Sequence, residues 1–100
     1  MIRPGINTQF GNINMVYNIT LYTKPECHLC DDARAILDTI FAEAQDTAHF
    51  ELREVDIRLN EADFALYRYR IPVIIVNGTI AAEGRMDDQA RYAIERALAQ

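Results

Sequence analysis

The spacing of apolar residues changes several times along this chain, and the order of the changes constrains the fold more than any other feature. Residues 17–23 alternate apolar and polar side chains, which predicts a β-strand with one buried face. After Cys30 the apolar spacing becomes three and four residues, as on one face of an α-helix. The helical stripe consists of Ala33, Ile36, Leu37, Ile40, Phe41 and Ala44.

The middle of the chain repeats this change from strand spacing to helix spacing. Residues 49–57 alternate again and predict a second strand. Asn60, followed by Asp63, is typical of a helix N-cap, so a short helix should begin there. Its predicted apolar positions are Ala62, Leu66 and Tyr69. The chain therefore contains two consecutive strand-then-helix units.

The last third adds two strands and a helix. Residues 71–76 are nearly all apolar, which indicates a strand in a sheet covered on both faces. Asn77-Gly78 is the strongest two-residue hairpin signal and leads into a fourth strand at 79–82. A final helical stripe occupies 87–100. The predicted order is β-α-β-α-β-β-α, an α/β fold with a mixed sheet of four strands and helices on its faces.

Composition narrows the function classes. With 100 residues, half of them apolar, the chain has room for one core. A net charge of −5 disfavours nucleic acid as a partner, and no apolar run is long enough for a membrane helix. We expect residues 1–14 to be a flexible extension without a signal-peptide core, with Met15 as a possible natural start, and residues 15–100 to be the domain. Because no export signal is found and a reducing compartment suits catalytic cysteines, we expect a cytoplasmic location.

The only cysteines, Cys27 and Cys30, lie where the first strand gives way to the first helix. A thiol at a helix N-terminus faces free N–H groups that favour its thiolate. The spacing lets the sulfurs form a disulfide, so Cys27 would attack a substrate disulfide and Cys30 would resolve the mixed disulfide. Two alternatives remain, namely a buried, inert pair and a zinc site completed by His28 and His49.

Charges near Cys27 act in opposite directions. Lys24 and the helix dipole favour the thiolate, whereas Glu26, Asp31 and Asp32 oppose it. We therefore predict a thiolate that is only modestly favoured, and a reductant rather than a strong oxidase.

Residues 22–30, YTKPECHLC, resemble the active-site stretch of glutaredoxins in the thioredoxin superfamily. Ile71-Pro72-Val73 is similar to the family's cis-proline site, and Gly84 is similar to one of its glycines. The resemblance spans about residues 16–100 and implies a thioredoxin-like fold and a glutaredoxin-like thiol–disulfide oxidoreductase. It implies catalysis by Cys27 and Cys30, with substrate binding by Lys24, Ile71, Pro72 and Gly84.

This chain departs from the usual glutaredoxin pattern at three places. The spacer is His28-Leu29 instead of Pro-Tyr, Arg70-Ile71 replaces Thr-Val, and Glu83-Gly84 replaces a Gly pair.

The resemblance also implies the partners. The substrates would be protein disulfides or glutathione mixed disulfides, and the electron donor would be glutathione or a flavoprotein reductase. We expect a monomer with no metal and no tightly bound cofactor, and with glutathione as a possible co-substrate. The alternative is a thioredoxin-fold binding module, or an iron–sulfur or metal carrier without redox turnover.

Overall fold

The computed structural model describes residues 15–99, so the predicted extension at 1–14 lies outside the described residues. The strands are β1 (Met15–Thr23), β2 (Ala48–Asp56), β3 (Val73–Val76) and β4 (Thr79–Glu83). The helices are α1 (His28–Ala44), α2 (Glu61–Tyr67) and α3 (Asp88–Leu98), and a 3₁₀ turn spans Ile57–Leu59. The predicted order β-α-β-α-β-β-α is confirmed.

The four strands form one mixed sheet in the order β2-β1-β3-β4. β1 runs parallel to β2 and antiparallel to β3, which is also antiparallel to β4. The predicted hairpin joins β3 to β4, and its central residues Asn77 and Gly78 have φ values of 49° and 89°. Positive φ at both positions is the geometry that favours Asn-Gly in tight hairpins.

A register shift between Ile74 and Ile75 changes the pairing in the β3–β4 hairpin. Next to the turn, Val76 pairs with Thr79 and Ile75 with Ile80. An unbroken register would then place Ala82 opposite Val73, but the shift places Glu83 there instead. The residue that precedes Gly84 is thereby brought level with the start of β3.

Helices cover both faces of the sheet, as predicted. Tyr17, Ile19 and Leu21 of β1 share a core cluster with buried residues of α1 and α3. On the opposite face, Tyr67 of α2 and Ile57 pack against Val73. The arrangement confirms the predicted thioredoxin-like α/β fold. Among residues 15–99, no helix is long and apolar enough to cross a membrane.

The predicted apolar stripe of α2 is wrong. The helix ends at Tyr67, which is buried, whereas Leu66 is 55% exposed and Tyr69 is 85% exposed. A helix of seven residues makes about two turns, so only a small part of its surface reaches the sheet. Tyr67 occupies that contact by stacking on Tyr22, with ring centroids 4.4 Å apart.

One end of the sheet collects the segments that carry the predicted site. β1 ends there and leads to Cys27, and β3 begins there directly after Pro72. Because β4 is antiparallel to β3, it ends at the same side and leads to Gly84. Three loops that are far apart in sequence therefore meet at this end.

Candidate active site

Cys27 is the N-cap of α1 and Cys30 lies in the helix's first turn. The extended backbone of Cys27 (φ −115°, ψ 104°) carries the chain into the helix, and its Sγ accepts a hydrogen bond from the Cys30 N–H at 3.1 Å. The two residues are joined by a disulfide, with Cα atoms 5.2 Å apart. Cys30 is 0% exposed, whereas Cys27 is half-buried. The pair therefore consists of an outer sulfur and an inner sulfur.

Lys24 lies in the exposed loop that precedes Cys27. It lines a cleft of about 270 Å³ with Arg34 and the carboxylates of Glu54 and Asp56. Neither cysteine lines this cleft. The structure thus places Lys24 at the correct end of the sheet, but beside the ends of β1 and β2 rather than in a shared cleft with the disulfide.

Arg34 compensates one of the negative charges that oppose a thiolate. Its Nη1 donates to Oδ1 of Asp31 at 2.7 Å, and its Nε donates to Oε2 of Glu54 at 2.8 Å. The hydrogen bond to Glu54 is the main cause that raises the pKa of Arg34. The charge of Asp31 therefore acts on Cys27 together with the nearby guanidinium, which the sequence alone did not indicate.

Pro72 and Gly84 are brought together. The Ile71–Pro72 peptide bond is cis, as predicted, and Pro72 is fully buried. The Gly84 N–H donates to the Pro72 carbonyl at 2.8 Å, and Gly84 has a φ of +75°, which favours glycine. The loop after β4 is therefore held to the start of β3 through the Pro72 backbone.

The backbone N–H of Ile71 is hydrogen-bonded within the protein. Its N–H donates to the Tyr67 carbonyl at 3.1 Å, which continues the last turn of α2. Within residues 15–99, no hydrogen bond is donated to its carbonyl. If Ile71 offers its backbone to a substrate, as the resemblance implies, the carbonyl is the group that can do so.

Arg70 and Glu83 form a two-pronged ion pair next to Pro72 and Gly84. Arg70 Nε donates to Glu83 Oε1 at 3.0 Å, and Nη2 donates to Oε2 at 2.9 Å. This hydrogen bonding raises the pKa of Arg70 and lowers the pKa of Glu83. The site prediction omitted both residues. Each precedes a predicted site residue, but the two come together through the pairing of β3 with β4, which places Glu83 opposite Val73.

The Arg70 side chain of this ion pair also contacts an aromatic ring. The Arg70 guanidinium carbon lies 5.3 Å from the centroid of the Tyr67 ring, which in turn stacks on Tyr22. Burial is the main cause that raises the pKa of Tyr22, and Asp63 adds to the effect. The Arg70 guanidinium therefore makes a cation–π contact with Tyr67 as well as the ion pair with Glu83.

The zinc alternative is disfavoured by the position of His49. His49 pairs with Val16 at the start of the parallel β1–β2 ladder, whereas Cys27 follows the end of β1. At about 3.3 Å per residue, the length of the ladder separates them by about 20 Å. Within residues 15–99, no three His, Cys, Asp or Glu side chains are grouped as metal ligands.

Comparison with known proteins identifies the family. Residues 18–96 match the sequence model of the glutaredoxin-like domain (DUF836). The chain belongs to this glutaredoxin-like family. It is also similar to the glutaredoxin-like protein YDR286C homolog of Dictyostelium discoideum, with 31% identity over 86 residues that cover 83% of this chain and 80% of that protein.

Solved structures share the fold at low sequence identity. A protein of unknown function from Staphylococcus aureus, SA0789, aligns with a TM-score of 0.64 and 14% identity over 90% of this chain and 99% of its own. A malarial protein aligns with a TM-score of 0.55 and 18% identity over 83% and 98% of the two chains. These similarities concern the fold alone.

Proposed function

We propose that this protein is a thiol–disulfide oxidoreductase that reduces protein disulfides or glutathione mixed disulfides through Cys27 and Cys30. One observation carries the proposal: a half-buried cysteine caps α1 and is bonded to a fully buried cysteine in the helix's first turn. Membership of the glutaredoxin-like family supports the same chemistry.

The two cysteines take different roles because their exposure differs. Cys27 is the sulfur that an external disulfide can reach, and in its reduced form the Cys30 N–H can donate to its thiolate. Cys30 is fully buried, so its accessible partner is the Cys27 sulfur. The nucleophile is therefore Cys27, and the resolving residue is Cys30.

The reaction transfers two electrons to the substrate. The Cys27 thiolate attacks one substrate sulfur, the substrate S–S bond breaks, and the other sulfur leaves as a thiolate that takes a proton from solvent. The Cys30 thiolate then attacks the Cys27 sulfur and releases the second substrate thiol. The protein is left with the Cys27–Cys30 disulfide, which an external thiol reductant, either glutathione or the dithiol of a flavoprotein reductase, reduces again.

We further propose that the substrate lies along the start of β3. The Ile71 carbonyl and the loop held by the Gly84–Pro72 hydrogen bond are at the same end of the sheet as Cys27. Lys24 lies at the same end of the sheet, in the loop after β1, but on the side of β2. A reducing compartment such as the cytoplasm suits this cycle, which needs no tightly bound cofactor.

Mixed-disulfide trapping tests the proposal. The reduced Cys30→Ser variant should accumulate a disulfide between Cys27 and a model substrate, visible as an added mass on the intact protein. The matched control, Cys27→Ser, should accumulate none because its remaining thiol is buried. Wild-type protein should reduce the same substrate with repeated turnover when an external thiol is supplied.

Failure of both trapping and turnover would refute the proposed activity. Visible absorbance of protein purified without oxygen would then test the metal-carrier alternative, because an iron–sulfur cluster is coloured and a dithiol is not.

A further inference from the structure

The Arg70–Glu83 ion pair lies at the same end of the sheet as Cys27. Val73 pairs with Tyr22 on one side and with Glu83 on the other, so Glu83 is two strands away from β1, the strand that leads to Cys27. Two strand spacings are about 10 Å. An extended tripeptide has about the same length, so groups near the ends of such a substrate come close to the pair.

A free guanidinium at this place would bind a substrate carboxylate. The planar fork of arginine matches the two oxygens of a carboxylate, which makes arginine the usual residue for this recognition. Here that fork is occupied, because Nε and Nη2 of Arg70 both donate to the Glu83 carboxylate. The pair has no net charge, and any incoming carboxylate also meets the negative charge of Glu83.

The pair remains accessible to a ligand. The Arg70 side chain is 35% exposed and the Glu83 side chain is 41% exposed. The neighbouring Arg85 also forms an ion pair, since its Nε lies 3.6 Å from Oδ2 of Asp87. The surface beside Pro72 and Gly84 therefore offers paired rather than free arginines.

We propose that the Arg70–Glu83 pair determines substrate specificity at the dithiol, disfavouring disulfides with carboxylates close to the reacting sulfur and leaving uncharged disulfides unaffected. The inference rests on the proposed function. It predicts that glutathione disulfide is a poorer substrate than an otherwise identical disulfide whose carboxylates are esterified. Uncharged segments of protein disulfides would then be the preferred substrates.

The test compares kcat/KM for glutathione disulfide with kcat/KM for its carboxylate esters. Glu83→Gln frees the charge of Arg70 and should raise the ratio of acid to ester about five-fold, the effect of one solvent-exposed charge contact. Arg70→Gln leaves the Glu83 charge unpaired and should lower the ratio. The double variant should raise the ratio less than Glu83→Gln does, because the negative charge of Glu83 is gone but no free guanidinium replaces it.

Glu95→Gln is the matched control. This substitution also removes a glutamate charge from an arginine–glutamate pair, here Arg91–Glu95 on α3. Glu95 lines a different cleft, which it shares with Thr47 and Ala48 near the start of β2. The acid-to-ester ratio should not change in this variant. Far-UV circular dichroism verifies that all the variants are folded.

The outcomes separate the specificity inference from the proposed function. If wild-type protein reduces the ester but Glu83→Gln leaves the ratio unchanged, or alters both substrates equally, the specificity inference is refuted and the oxidoreductase function stands. If wild-type protein reduces neither substrate and no mixed disulfide forms in Cys30→Ser, the function itself fails.

Discussion

Replacing Gly84 with alanine tests how the loop after β4 supports the site. Gly84 has a φ of +75°, and its N–H donates to the Pro72 carbonyl at 2.8 Å. An added Cβ would meet no heavy atom within 4 Å, so the substitution introduces backbone strain without a steric clash. The expected effect can therefore be calculated from the backbone alone.

The magnitude follows from two opposing terms. A left-handed conformation costs a non-glycine residue about 1–2 kcal/mol. Alanine also restricts the unfolded chain more than glycine, which offsets about 0.4–1 kcal/mol. The free energy of unfolding should thus fall by about 1 kcal/mol, which corresponds to a Tm lower by about 4–8 °C in a domain of this size.

Gly78→Ala provides the matched control. Gly78 has a φ of +89°, also with nothing within 4 Å of an added Cβ, but it lies in the β3–β4 turn at the opposite end of the sheet. Both variants should lose similar stability. Only Gly84→Ala should lower kcat/KM for disulfide reduction, by about five-fold, if the hydrogen bond to Pro72 weakens by about 1 kcal/mol.

Urea unfolding followed by far-UV circular dichroism measures the stability term, because the chain has no tryptophan for fluorescence. Turnover of an uncharged disulfide measures the activity term. Equal loss of activity in Gly78→Ala and Gly84→Ala would show that the Gly84–Pro72 bond has no special role. Unchanged stability in both variants would contradict the strain argument.

Three further predictions concern stability. Leu37→Ala in the core should lower the free energy of unfolding by about 2–5 kcal/mol in urea titrations, because Leu37 is fully buried. Asp87→Ala should cost about 1 kcal/mol by removing the α3 N-cap bond to the Ala90 N–H, whereas Asp88→Ala should cost less. Arg70 lowers the pKa of Glu83, so the pair stabilises the fold above the usual glutamate range and this contribution is lost as the pH falls through the lowered value. Acid titration should therefore reduce stability less in Glu83→Gln than in wild type.

Local patterns were sufficient for the order of elements. Residues 17–23 alternate because one face of β1 packs on α1 and α3. Asn60 and Asp87 cap their helices, since each side chain accepts a hydrogen bond from the N–H of the third helical residue. Cys27 was placed at a helix N-terminus because the strand alternation ends before it and the helical spacing begins after Cys30. Interactions over three or four residues leave their pattern in the sequence itself.

Packing between distant segments was harder to predict. The stripe assigned to α2 included Leu66 and Tyr69, but the structure buries Tyr67 on Tyr22. A seven-residue helix carries too few apolar positions to define its buried face by spacing. The buried face of α2 is instead set by Tyr22 of β1, on which Tyr67 stacks.

The sequence by itself determined the strand and helix order, the Asn77-Gly78 hairpin and the position of the two cysteines at the start of α1. The tertiary structure decided which of them is buried, where His49 lies, and that Arg70 meets Glu83. At the site, a register shift between Ile74 and Ile75 places Glu83, and not Ala82, opposite Val73. Such a shift is set by how the two strands pack on the rest of the sheet, which no local spacing records.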